Sequence, residues 1–334
     1  MGTEFKNIVD GMSGVMMWLE IQEGKNRMRA LEHTQALGGT AACVLRGVNA
    51  TCTFTHIQEQ TMEDDEDIDS SSPFLYFADS WFGSVKSASN VGKTGNHCCV
   101  VIKTAHSRSP KFWLEEKMKD FPGGTWIVLE GKPEKEGIDL ICVGYKYNKK
   151  RVLTFVLTRG AGSTKAGEPY QARFPDKYGN VCVRHVMRPA IIAQYFQFSN
   201  CVDLHNQSRQ FDLALEEKWV TQNPYFRLYT IMVGMTVVGA WKIERLVNAD
   251  ALTIKEYADI MANDMIRAAA KYKNELDTSR ESQIVTVSRN EDSVSSISQH
   301  ERCIGTHTKV ILKKVNKFAV YGVVEFILKN QRQQ

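Results

Sequence analysis

The chain has 334 residues, 43% of them hydrophobic and 24% charged, a globular composition that excludes a wholly disordered protein. Its 42 Lys+Arg against 38 Asp+Glu leave a formal net charge of +4, which permits an anionic partner without arguing for one. The longest apolar run, between Arg227 and Lys242, is shorter than the ~20 residues that cross a bilayer, so it reads as a buried helix and no membrane partner is expected. The first residues show no charged segment leading into an apolar one, so no secretory leader is expected.

Residues 4–21 read as two strands around a turn at Asp10-Gly11, a pair suited to tight reversal. Residues 26–45 follow a helical rhythm, with Met28, Leu31, Leu37 and Ala41 recurring at turn spacing. Residues 59–72 form an acidic, solvated loop without the glycine and terminal glutamate of a calcium site. A short strand over Phe74–Phe77 ends at Asp79, a helix begins near Ser84, and residues 97–105 give another apolar strand. Residues 123–159 are strand-rich, with a hairpin turning at Asn148-Lys149-Lys150. Lys146, Lys149, Lys150 and Arg151 cluster at its tip and are the best local candidates for phosphate contacts.

The Gly-rich stretch 160–170 lacks the Gly-Lys-Ser/Thr ending of a phosphate loop and reads as a connector. Helices are predicted over Ile191–Phe198, Val202–Trp219, Phe226–Ile243 and Ile254–Tyr272, with Trp219, Tyr225 and Phe226 in the core. Residues 276–300 are Ser-rich and charged, as in a disordered linker, and Lys309–Asn330 alternates basic and apolar residues. The eight cysteines form no CxxC pair and read as reduced thiols packed as small hydrophobes.

One constellation rises above this pattern. Asp79 stands at a strand end within FADSWFGS, and Asp203 lies in a helix-like segment where Asn206, Gln207 and Gln210 share its polar face. Carboxylates held on rigid elements are what paired hard cations need for phosphoryl transfer. His205 points away from Asp203 around that helix and reads as a surface or packing residue.

These residues resemble the piggyBac-type transposase family. The second catalytic aspartate of that family precedes a motif matched by Asp79-Ser80-Trp81-Phe82-Gly83-Ser84, and the third sits in a motif matched by Cys201-Val202-Asp203-Leu204-His205-Asn206-Gln207. The Lys218-Trp219 pair ahead of the apolar helix and the Asp10–Gly14 turn fall in the family's order, so the resemblance spans about residues 4–245. It implies an α/β, ribonuclease-H-like mixed sheet flanked by helices, with a β-rich insertion. The implied layout is a core over 1–106, the insertion over 107–188, helical completion over 189–275, and a linker and tail over 276–334. It further implies DNA as partner, a nuclear location, and Mg²⁺ held by Asp79, Asp203 and Asn206, with the two aspartates catalytic.

The departures shape the expectation as much. The family's first aspartate lies on a strand ahead of the segment matching Phe5–Gly14, and Asp10 sits on a turn rather than on such a strand. Asn206 replaces a carboxylate, and His300, Cys303 and His307 lack the spacing of a zinc module. The expected function is therefore a remnant of a cut-and-paste transposase with an incomplete catalytic triad, weak in Mg²⁺ binding and inactive in cleavage. A domesticated, non-catalytic DNA-binding protein and a plain interaction scaffold are the alternatives.

Overall fold

The computed structural model describes residues 4–59, 73–103, 109–131, 137–175, 178–248 and 252–287. The acidic stretch 60–72, Cys303 and the tail after residue 287 lie outside them, as do the expectations placed there. The chain divides into two units, one of residues 1–12 and 16–202, the other of 13–15 and 203–334. No helix among the described residues is long and apolar enough to cross a membrane.

The first unit opens with β1 (Glu4–Val9) and β2 (Met16–Gln22), an antiparallel pair that turns at Asp10-Gly11. Helices α1 (Lys25–Ala30), α2 (Thr34–Leu37) and α3 (Gly39–Glu59) follow. The single helix expected over 26–45 is therefore broken. Gly38 takes φ +81°, a left-handed value that glycine adopts without steric cost, and ends one helix where the next begins.

The central sheet is built from β3 (Leu75–Ala78), β4 (His97–Val101), β5 (Trp126–Gly131), β6 (Leu140–Lys146) and β7 (Val152–Thr158). Its order is β3-β4-β7-β6-β5; β3 and β4 run parallel, joined by α4 (Val85–Lys93), and the other pairs are antiparallel. This is a mixed α/β architecture. The hairpin β6–β7 belongs to this sheet, because β7 pairs directly with β4.

Alternation along the strands explains the layers. Cys98, Val100, Cys142, Val152 and Val156 face one side and meet Val48 of α3, Val91 of α4, and Leu114 and Met118 of and after α5 (Lys111–Lys117). Cys99, Val101, Val143, Tyr145, Phe155 and Leu157 face the other and meet Ile191, Ile192 and Tyr195 of α6 (Ala190–Phe198). Each large aliphatic side chain so buried contributes about 1.5–3 kcal/mol. Gly144 lets α5 approach closely: a Cβ there would lie 2.8 Å from Leu114 Cδ2. Thr51 of α3 bonds the Tyr76 hydroxyl at 2.7 Å, tying that helix to β3.

No disulfide joins the cysteines of the described residues. Burial pushes the Cys98 and Cys142 thiols up to about 12, which fits the reading as small hydrophobes. Cys182 is the exposed exception, on the hairpin β8 (Tyr170–Pro175) and β9 (Val181–Val186), two strands the alternation did not single out.

In the second unit the expected helix Val202–Trp219 is interrupted. It reads α7 (Cys201–Gln207, the last residues of the first unit included), a π-helical turn over Ser208–Leu213, then α8 (Leu215–Lys218). Ala214 adopts φ 50°, and no sequence signal marks a π turn. Helices α9 (Pro224–Val247) and α10 (Ile254–Val287) complete the unit. Asn223 caps α9 by accepting from the Tyr225 and Phe226 amides, and a reciprocal Thr253–Glu256 box caps α10. Residues 276–287, expected in a linker, are the last turns of α10. Leu213, Val237, Val238 and Ile254 form the core here. Trp219, Tyr225 and Phe226 are exposed rather than core, because α9 turns Thr230, Gly234, Met235 and Val238 inward instead.

Candidate nucleic-acid interface

The carboxyl ends of β3, β4 and β6 reach the same edge of the central sheet, since β7 runs antiparallel to both β4 and β6. A cavity of about 640 Å³ opens there. Ser80 follows β3 into it, Lys103 follows β4, Lys146 ends β6, and Lys149, Lys150 and Arg151 come from the β6–β7 turn. From across the sheet face α5 adds Lys111 and Glu115, and Lys119 follows that helix. Among the described residues, seven cationic side chains thus line a concavity with one carboxylate among them. Glu115 is already used, pairing with Lys111 at 2.9 Å. The uncompensated charge makes the cavity an anion trap.

The four basic residues picked from the hairpin do come together. Lys146 is placed differently from expectation, however. Strand β6 runs through it to pair with Val152, so it is 2% exposed at the cavity floor rather than at the tip. Its ammonium donates to the Lys119 carbonyl at 2.7 Å. The Asn148 side chain accepts from the Lys150 and Arg151 amides at 2.9 Å each, fixing the turn that presents the mouth cations. Lys103, Lys111 and Lys119 were missed by sequence reasoning. They are 27 or more positions from Lys146, and only the sheet register brings them close.

Asp79 stands just past β3, as expected, beside the cavity-lining Ser80. Its Oδ1 accepts from the Trp81 and Phe82 amides at 2.8 and 3.4 Å, and its carbonyl accepts from Gly83. Capping of α4 falls to Ser84, which accepts from the Ser87 amide at 2.9 Å. Gly83 has a steric reason: a Cβ there would sit 1.7 Å from the Val101 carbonyl oxygen.

Asp203 and Asn206 belong to the second unit and Asp79 to the first, so the expected ligands are divided between the two. Asp203 is exposed in the first turn of α7. His205 is buried, so of the two expected roles, surface or packing, it takes the packing one; no partner for its ring nitrogens is found among the described residues. Burial, with Lys242 and Arg209 nearby, lowers its pKa to about 4. Arg209 is buried as well and pairs with Glu216. Among the described residues no group of three or more His, Cys, Asp or Glu could hold a metal ion.

No family model, no curated protein and no solved structure matches this chain.

Proposed function

We propose that this chain is a non-catalytic DNA-binding protein descended from a piggyBac-type transposase, with a ribonuclease-H-like core and a nuclear place of action. The observation that carries the binding half is the cavity of seven cations and one carboxylate beside Ser80. Arg and Lys groups of this kind contact phosphates whatever the base sequence, so binding is non-specific and fades with salt. The ancestry half is supported by the ordered motifs and by the parallel β3–α4–β4 unit that sets Asp79 at a strand end.

The donor set does not fit a paired-Mg²⁺ centre. One oxygen of Asp79 is taken by two backbone amides, Asn206 brings no charge, and the cavity next to Asp79 repels cations.

Two assays test the reading. The chain should shift a labelled duplex in low salt, and should leave supercoiled plasmid intact in Mg²⁺ or Mn²⁺. Metal-dependent nicking that Asp79→Ala and Asp203→Ala both abolish would overturn the non-catalytic half. Failure to bind any nucleic acid at low salt would overturn the rest.

A further inference from the structure

We propose that the cavity takes single-stranded nucleic acid, with a phosphate on the Lys146 ammonium and bases stacked on Trp81 and Phe112. This rests on the nucleic-acid reading above and narrows it to one partner class.

Lys146 supplies the first observation. It is 2% exposed, lines the cavity and donates to a single carbonyl, at 2.7 Å, although an ammonium carries three donors. No carboxylate among the described residues pairs with it. A buried charge left so is costly, and an incoming anion relieves the cost.

The shape decides which anion. The cavity, about 640 Å³, has the size of a small-ligand site rather than of a trough for a rod. A duplex is stiff and carries its phosphates on its outer surface, so it meets the exposed Lys149, Lys150 and Arg151 more readily than the buried Lys146. A flexible single strand can turn one phosphate inward. Lys111, 9% exposed on α5 and paired with Glu115, lines the cavity as well.

Two exposed aromatic residues adjoin cavity-lining residues in the sequence. Trp81 follows the cavity-lining Ser80 and is 40% exposed; Phe112 follows Lys111 and is 64% exposed. The Lys6 ammonium lies 3.3 Å from the Trp81 ring centroid, covering one face of the indole. Basic grooves with exposed rings beside them are how single strands are held without base readout, because every base offers a face to stack.

The experiment compares a labelled single strand of about 12 nucleotides with a blunt duplex of the same sequence, by anisotropy at one salt concentration. The wild-type chain should bind the single strand at least about tenfold more tightly, and Phe112→Ala should weaken that binding about fivefold or more. Lys146→Met should weaken it about tenfold, and Lys146→Arg should keep it within about threefold of wild type. Melting curves establish that each variant is folded; should Lys146→Met not fold, Lys146→Arg and Phe112→Ala carry the test. Equal or tighter duplex binding overturns this proposal and leaves the general DNA reading standing. A folded Lys146→Met or Phe112→Ala chain with undiminished single-strand affinity also overturns it. Binding of neither probe overturns both.

Discussion

Lys146 and Arg209 are both buried cations, and they are treated in opposite ways. Arg209, in the second unit, is 7% exposed and pairs with Glu216, so the scaffold supplies its own counter-charge. Lys146, in the first, is 2% exposed and meets a carbonyl, with further cations around it. A paired buried charge holds structure together, whereas an unpaired one facing a cavity is held for a ligand. Burial alone does not distinguish structure from function; what the charge faces does.

Replacement of the two cations should separate them most sharply. Arg209→Met strands Glu216 without its partner and should cost about 3–5 kcal/mol in urea unfolding. Gly83→Ala, which drives a Cβ into the Val101 carbonyl at the cavity's edge, should cost about 3 kcal/mol, read as a fall in the unfolding midpoint.

A smaller effect comes from pH. His205 titrates at about 4 when folded against an ordinary value of 6.5, so between these values the unfolded chain binds the extra proton. Stability from this group is therefore complete above pH 6.5, falls as pH drops toward 4, and is flat below. The loss should be about 1–3 kcal/mol, and His205→Leu should flatten that part of the stability profile. Smallest of all is Lys146→Met. Removing a charge that the scaffold does not pair should leave stability unchanged or raise it by about 1 kcal/mol. A loss there as large as that of Arg209→Met would erase the contrast.

Much of the sheet was legible because strand alternation is local. Leu140–Lys146 and Val152–Thr158 announce a hairpin, and Asn148 marks its turn. The end of β6 was not: a basic residue two positions before a turn reads as part of the tip, until pairing with Val152 puts Lys146 indoors. The π turn at Ser208–Leu213 has no sequence marker, so the polar face through Asp203 was drawn on a regular helix. Lys111 and Lys119 escaped because convergence across a sheet face is a property of topology, invisible to spacing. Phe112 and Trp113 sit beside Lys111 in the sequence, and an exposed aromatic pair next to a lysine on a short helix was the one signal that could have found it.

The salt dependence of single-strand binding tests the central claim most directly. Each neutralised phosphate contributes about −0.7 to the slope of log affinity against log salt on a single strand, so about four to six contacts from the cavity predict a slope near −3 to −4. Reversing Lys149, Lys150 and Arg151 to glutamate should reduce that slope by about 2 and weaken binding at low salt, with the fold retained because all three are exposed. A slope near zero, or one that the triple reversal leaves unchanged, would contradict the assignment of this cavity as the nucleic-acid interface.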